Sequence, residues 1–211
     1  GSFYYNYLIK YRKDAIRLDR VAVDMTLFNH EIKPINLKKE KFTFLSAQRF
    51  GLAKGFDIIL EALRLCSADF KVLQIKWFIE NSEEEKRINA ELLDKIPHQV
   101  EFIPLIKRSE LGSYFTFADA ILGQMRIGAQ GAIERDAAFC KKPVICFTDP
   151  KKPMIIDGKE VVPPFLPKTQ DPHDLAKLID LVVQSKEFRD KLVDEQYSYI
   201  KKLSDPIEVV K

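Results

Sequence analysis

Two cationic side chains stand in a short loop between a predicted strand and a predicted helix. Arg49 and Lys54 follow the apolar run 42–47 and precede an apolar helical pattern over 56–65. In open α/β sheets, ligands bind at the carboxyl ends of the strands, and the unpaired backbone N–H groups of a helix start attract phosphate. A guanidinium can bridge two phosphate oxygens, while an ammonium adds a point charge. The sequence therefore predicts a seat for a diphosphate; the alternative is two solvated cations in a surface loop.

A glycine-rich segment further along the chain offers a carboxylate beside a second predicted helix start. Gly128 and Gly131 would let backbone N–H groups approach a ligand, and Glu134 would accept hydrogen bonds from hydroxyl groups such as those of a ribose. The alternatives are ordinary turn glycines and a carboxylate that interacts favourably with the helix dipole. Together with the diphosphate seat, this segment predicts a nucleoside diphosphate that carries a hydroxyl-rich group.

The composition bounds the class of protein. The chain has 211 residues, of which 46% are hydrophobic, and its formal net charge is +3. This size suits one large domain or a domain with an appendage, and so small a charge argues against a nucleic-acid partner. No stretch reaches the roughly 18–20 apolar residues of a membrane span, and no signal peptide is visible. We therefore expect a cytoplasmic protein that binds no nucleic acid.

The residues that usually bind metals lack the spacing of a metal site. Cys66, Cys140 and Cys146 lie in apolar elements, which favours buried free thiols in a reducing compartment. The three histidines have no cysteine or carboxylate partner at metal-ligand spacing. We expect neither a metal nor another cofactor.

The first forty residues differ in character from the rest. Residues 1–23 are dense in tyrosine and basic residues and predict a helix that packs on a neighbouring domain; peripheral contact with an anionic membrane surface is the second interpretation. Residues 24–41 predict an opening strand followed by a polar linker. The chain starts with Gly1-Ser2 instead of methionine, which indicates a fragment of a longer protein.

Strand and helix patterns alternate from residue 42 to residue 203. Trp77, at the end of one strand pattern, is predicted to lie in the core. Ser109 is predicted to cap a helix, and Asp171 is predicted to cap the first of two C-terminal helices. The proline-rich stretch 149–170 predicts a long ordered loop or a short strand. The predicted fold class is α/β, a Rossmann-like doubly wound parallel sheet with flanking helices. The predicted strands are 42–47, 72–78, 100–103, 118–122 and 143–147, and the predicted helices are 56–65, 83–95, 109–117, 131–139, 172–184 and 187–202.

Five motifs in this order resemble those of one enzyme family. They are Val23-Asp24-Met25-Thr26-Leu27-Phe28, Ser46-Ala47-Gln48-Arg49 with Lys54-Gly55-Phe56-Asp57, Val100-Glu101-Phe102-Ile103-Pro104, Tyr114-Phe115-Thr116-Phe117-Ala118-Asp119, and Glu134 followed by Lys142-Pro143-Val144-Ile145. From about Val21 to its end, the chain resembles the C-terminal, donor-binding half of group 1 glycosyltransferases with the GT-B fold.

The resemblance implies transfer of a sugar from a UDP- or GDP-sugar to an acceptor hydroxyl, with retention and without a metal, in glycan or polysaccharide biosynthesis. Arg49 and Lys54 would stabilise the negative charge that develops on the leaving diphosphate. Family members seat the base at the positions of Phe102, Ile103 and Pro104. The full set of implied substrate contacts is Gln48, Phe102, Ile103, Pro104, Gln124, Arg126, Gly128, Ala129, Gln130, Gly131 and Glu134.

Two departures from the family pattern bear on turnover. Arg126 stands where the family often has the first Glu of a Glu-x7-Glu motif, so either Gln124 or backbone N–H groups near Ala129 hold the sugar, or transfer is weak. Only one of the two GT-B domains is present, so the acceptor half would lie in the same protein or in another chain, and the isolated domain would be inactive. The rival interpretations are a non-catalytic nucleotide-binding or interaction domain of the same fold, and an unrelated sheet protein that binds another phosphorylated ligand.

Overall fold

Five parallel strands form the central sheet, with helices on both of its faces. The computed structural model describes residues 7–14, 22–156 and 159–204. The strand order is β3-β2-β1-β4-β5, and every neighbouring pair is parallel. The elements are β1 (Phe42–Ser46), α1 (Phe56–Leu65), β2 (Phe70–Ile75), α2 (Glu83–Leu93), β3 (Val100–Ile103), α3 (Arg108–Phe117), β4 (Ala120–Leu122), α4 (Ala132–Phe139), β5 (Val144–Ile145), β6 (Met154–Ile156), β7 (Lys159–Val161), α5 (Pro172–Gln184) and α6 (Lys186–Ser204).

The two faces of the sheet bury separate apolar clusters, as a doubly wound sheet requires. On β1, Phe44 belongs to the cluster covered by α1 and α5, whereas its neighbour Leu45 belongs to the cluster covered by α3, α4 and α6. Because both faces are covered over most of the sheet, its strands are largely apolar, and the charged exceptions are Lys71 of β2 and Glu101 of β3, which form an ion pair at 2.5 Å. The predicted fold class is confirmed.

The strand order reverses between β1 and β4, which makes their carboxyl ends a topological switch point. The crossover connections from β1 and from β4 leave on opposite faces, so a crevice opens between the loops that follow them. These loops are residues 47–55 and 123–131. They carry most of the residues for which the sequence predicts contact with a ligand.

The C-terminal helices complete the sheet. Asp171 caps α5 by accepting from the N–H of His173 at 2.8 Å, as predicted. The fully buried amide of Gln196, on α6, accepts from the N–H of Val144 at 2.9 Å and donates to its carbonyl at 2.8 Å. One side chain thus satisfies both the N–H and the carbonyl of Val144 in the edge strand β5.

Three predictions about local structure need correction. Within the described residues 24–41 no strand forms, because the Asp24 carboxylate accepts from the N–H and hydroxyl of Thr26 and sets a turn. Ser109 lies inside α3, and Lys107 occupies the N-cap position. The stretch 149–170 contains an antiparallel pair, β6 and β7, instead of a single short strand.

The helix predicted within residues 1–23 falls largely outside the described residues. Residues 7–14 form one short helical turn followed by irregular turns. Among the helices that the structure describes, none is both long enough and apolar enough to cross a membrane.

Candidate functional site

The loop after β1 holds the two predicted phosphate ligands on a tightly turned backbone. Gly51 and Gly55 adopt positive φ angles of 131° and 79° and flank a short 3-10 helix, Leu52–Lys54. The buried ring of Phe50 anchors the loop against Phe56, with ring centroids 4.5 Å apart. This backbone places Arg49 and Lys54 at the start of α1.

Gly55 also lets the loop after β4 approach. A Cβ atom at position 55 would lie 2.9 Å from the backbone carbon of Met125, which is closer than a side chain tolerates. The Met125 N–H donates to the carbonyl of Lys54 at 2.8 Å, and the Gln170 amide donates to the carbonyl of Met125 at 2.8 Å. The two loops of the switch point are therefore joined backbone to backbone.

The buried amide of Gln124 shapes the loop after β4. Its nitrogen donates to the carbonyls of Ala129 at 2.8 Å and Phe147 at 3.0 Å, and its oxygen accepts from the N–H groups of Arg126 at 2.9 Å and Ile127 at 2.6 Å. All four hydrogen-bonding positions of the amide are used, three of them within the loop 123–131 and one by the segment after β5. A direct contact between Gln124 and a sugar would require this loop to rearrange.

Glu134 ties the same loop to the start of α4. Its side chain is buried, and its two oxygens accept from the N–H groups of Gln124 at 3.0 Å and Gly131 at 2.8 Å. Glycine at 123 makes room for the carboxylate, because a Cβ there would lie 2.7 Å from Glu134 Oε1. Each carboxylate oxygen keeps a second lone pair, so the group can still accept from a hydroxyl.

A cleft of about 350 Å³ brings the predicted phosphate ligands and the predicted carboxylate together. We call it the donor cleft; it is lined by Gln48, Arg49, Lys54, Trp77, Gly131, Ala132, Ile133 and Glu134. Neither of its two cations forms an ion pair with any residue that the structure describes. Their charge is therefore available to an anionic ligand.

The Gln48 amide is buried beneath this cleft, and it has no hydrogen-bond partner among the described residues. A buried amide without a partner costs about 1–3 kcal/mol. A ligand or water that reached it would remove that cost.

Trp77 was predicted to lie in the core, but its side chain is 41% exposed and forms one wall of the donor cleft. β2 ends at Ile75, so Trp77 lies beyond the last buried strand position. The sequence signal for this end is the lysine at position 76, whose side chain is exposed in the structure.

Several predicted contacts lie away from the donor cleft. Phe102 packs against Phe50 at 5.7 Å between ring centroids, and Ile103 packs on the opposite apolar cluster. Pro104 is exposed. The predicted base seat at 102–104 therefore stays a prediction, and none of these three residues lines the donor cleft.

The remaining predicted contacts have partners of their own. Arg126 forms an ion pair with Asp57 at 2.5 Å, which joins the loop after β4 to the first turn of α1. The Gln130 amide donates to the hydroxyl of Tyr199 at 3.1 Å, and burial raises the pKa of that phenol to about 12. Gly128 has a φ of 79°, which glycine tolerates best.

The part of the chain that the structure describes contains no group of three or more His, Cys, Asp or Glu side chains arranged to hold a metal ion. The cysteines are free, and burial raises the pKa of Cys66 and of Cys140 to about 12.

Comparison with known proteins gives one family. Residues 28–199 match the family model of glycosyl transferases group 1. No curated protein sequence matches the chain.

Solved structures share the fold at low sequence identity. Sucrose-phosphate synthase from Thermosynechococcus elongatus is 19% identical with a TM-score of 0.70, over 98% of this chain and 53% of that one. A glycosyltransferase from Rickettsia africae is 16% identical with a TM-score of 0.70, over 100% of this chain and 59% of that one. Anabaena Alr3699/HepE, crystallised with UDP and glucose, is 14% identical with a TM-score of 0.62, over 80% of this chain and 46% of that one. The chain thus spans about half the length of these proteins.

Proposed function

Since the chain belongs to the group 1 glycosyl transferases and corresponds to their C-terminal domain, we propose that it is the donor-binding domain of an enzyme that transfers a sugar from a nucleotide diphosphate sugar to an acceptor hydroxyl. The observation that carries the proposal is the donor cleft, where two cations without ion-pair partners among the described residues lie at the switch point of the sheet. Binding of UDP and glucose by Alr3699/HepE, which shares the fold, supports it.

The cleft suits each part of a nucleoside diphosphate. Arg49 and Lys54 bind the diphosphate, and Glu134 accepts from the ribose hydroxyls. The exposed ring of Trp77 is a surface on which the base stacks, a contact worth about 1–3 kcal/mol for a nucleobase on an aromatic side chain. We prefer Trp77 to residues 102–104 for this role because Trp77 lines the cleft.

The same cations would assist departure of the leaving group. As the bond between the sugar and the diphosphate breaks, negative charge grows on the phosphate oxygens, and preorganised cations lower the energy of that state. Arg49 and Lys54 would thereby do what a bound metal does in other transferases. We further propose that transfer proceeds with retention of configuration.

The acceptor would be held by a second domain. The three solved structures compared above are about twice as long as this chain, which supports an acceptor half in the same protein or in another chain. Because transfer needs both reactants in one cleft, we expect the isolated domain to be inactive.

The ion pair between Arg126 and Asp57 favours a second candidate function. It places a neutralised arginine where the family often has a glutamate that faces the donor sugar. A non-catalytic domain that binds the nucleotide but does not transfer the sugar would have the same donor cleft. A turnover assay on the full-length protein separates the two functions.

Trp77 provides the experiment, because it is the only tryptophan in the chain. UDP, GDP and ADP are titrated separately while the tryptophan emission is recorded. One nucleotide should change the emission at the lowest concentration and thereby identify the base.

The same titration on Lys54→Ala should show an affinity about 10–100-fold lower, since hydrogen bonds to charged groups contribute about 1.5–3 kcal/mol. Lys76→Ala is the matched control, because it removes the same charge from an exposed side chain that does not line the donor cleft. An unchanged emission at millimolar concentrations of all three nucleotides would contradict the proposal.

A further inference from the structure

A second cavity, of about 510 Å³, lies at the amino-terminal edge of the sheet. Its walls come from the segments that precede β1, β4 and β5 and from α6, so it opens at the edge opposite the donor cleft. Five cationic and three acidic side chains line it. We call it the basic pocket; its cations are Lys39, Lys41, Lys141, Lys142 and Arg189.

The acidic side chains of the basic pocket are already paired. Asp119 contacts Lys39 at 3.0 Å, and Lys39 also donates to a backbone carbonyl. Glu40 and Asp190 pair with lysines that do not line the pocket, at 2.7 Å and 2.5 Å. None of the three carboxylates forms an ion pair with Lys141, Lys142 or Arg189 among the described residues.

Three cations have no carboxylate partner among the described residues: Lys141, Lys142 and Arg189. The Lys142 ammonium donates to the carbonyl of Thr116 at 2.8 Å, and Arg189 Nη1 donates to two carbonyls at the end of α5. The other donors of both side chains have no partner in the described part of the chain. The Lys141 ammonium lies over the ring of Tyr197, 5.0 Å from its centre, and makes no hydrogen bond with the described residues.

The backbone conformation of Lys141 and the charged form of Lys142 are both energetically unfavourable. Lys141 follows α4 with a φ of 55°, a left-handed conformation that favours glycine over residues with a Cβ. Burial and the charge of Lys39 lower the pKa of Lys142. An anion close to the Lys142 ammonium would offset the repulsion from Lys39 and stabilise the charged form of Lys142.

We propose that the basic pocket binds a phosphate-bearing anion, either a free phosphate ester or diphosphate or the headgroup of a lipid, through Lys141, Lys142 and Arg189. Lysine ammonium groups and the arginine fork are the donors that proteins use for phosphate. The volume is within the range of about 300–1,000 Å³ of small-molecule sites. This site is separate from the donor cleft and independent of the proposed function.

Backbone amide NMR spectra of the whole chain, recorded while pyrophosphate is added, test the proposal. The amide signals of Lys141, Lys142 and Val144 should shift with saturation, separately from those of residues 47–55, which report the donor cleft. Lys142→Gln should lower the pyrophosphate affinity measured from these signals at least tenfold. Lys177→Gln, which replaces an exposed lysine of α5 outside the basic pocket, should leave that affinity unchanged.

Lys141→Gly separates a binding role from a structural one. It removes a cation and relieves the left-handed strain, so the midpoint of thermal unfolding should rise while pyrophosphate binding weakens. If Lys141 served only to end α4, Lys141→Gly would leave pyrophosphate binding unchanged.

A parallel arm uses vesicles of phosphatidylcholine with and without phosphatidic acid. Co-sedimentation that requires phosphatidic acid and is lost in Lys142→Gln would identify the lipid headgroup as the source of the phosphate. The proposal is overturned if neither pyrophosphate nor these vesicles bind, or if both bind Lys142→Gln and Lys141→Gly as tightly as the unchanged chain.

Discussion

Replacing Gly55 by alanine tests whether the two loops of the donor cleft depend on each other. The φ of 79° at this position costs an L-residue about 1–2 kcal/mol. The new Cβ would lie 2.9 Å from both the backbone carbon and the Cβ of Met125, and such overpacking costs about 1–3 kcal/mol. Together, Gly55→Ala should lower the free energy of unfolding by about 2–5 kcal/mol.

The assay is thermal unfolding of Gly55→Ala, followed by nucleotide titration of the folded variant. In a domain of this size each kcal/mol shifts the midpoint of thermal unfolding by about 2–4 °C, so a fall of roughly 4–20 °C is expected. The nucleotide affinity of the folded protein should also fall several-fold, because the N–H of Met125 is hydrogen-bonded to the carbonyl of Lys54 and displacement of Met125 would move that residue.

Gly112→Ala is the matched control. Its Cβ would clash with the carbonyl of Leu27, far from the donor cleft, so it should destabilise the fold without changing the affinity of the folded protein. If Gly55→Ala kept both its stability and its nucleotide affinity, the packing of the two loops would not determine the cleft.

Three further predictions follow from single side chains. Gln196→Ala should lower the free energy of unfolding by about 2–4 kcal/mol in a denaturant titration, since it leaves the buried N–H and carbonyl of Val144 unpaired. Partial burial raises the pKa of Asp180, but hydrogen bonds from Ser67 and Ala68 outweigh it, so the folded pKa is lowered. The ionised carboxylate therefore stabilises the fold above the unfolded pKa of about 3.9, and this stabilisation is lost as the pH falls through the lower folded pKa. In acid unfolding, Asp180→Asn should show a weaker pH dependence in that range. With burial raising the pKa of Cys66 to about 12, the native protein should react slowly with a thiol reagent near neutral pH, and urea should accelerate the reaction; rapid labelling without urea would contradict the burial.

The fold could be predicted because its signals are local and repeated. The predicted bounds of α1, β3 and α5 coincide with the structure, since each is an apolar run of distinct period with a clear start. The alternation of strands and helices predicts a doubly wound sheet, whereas the reversal of strand order between β1 and β4 is seen only in the structure. The loops at this switch point also carry the cations that the sequence singled out.

The details of the site depended on contacts that no local pattern encodes. Arg126 pairs with Asp57, which lies in the first turn of α1, so the sequence could show only that a glutamate was missing. The amide of Gln124 closes its own loop, and whether an amide faces inward or toward a ligand depends on backbone geometry. Trp77 was misplaced because an aromatic residue next to a buried strand usually continues it.

Calorimetric titration of a nucleoside diphosphate, compared with the same nucleoside without phosphates, tests the central claim most directly. If the two cations of the donor cleft bind the diphosphate, the diphosphate should bind at least tenfold more tightly than the nucleoside, and Arg49→Ala and Lys54→Ala should each remove most of that advantage while leaving nucleoside binding unchanged. Equal affinities for the two ligands, or a diphosphate affinity that survives both substitutions, would contradict the account.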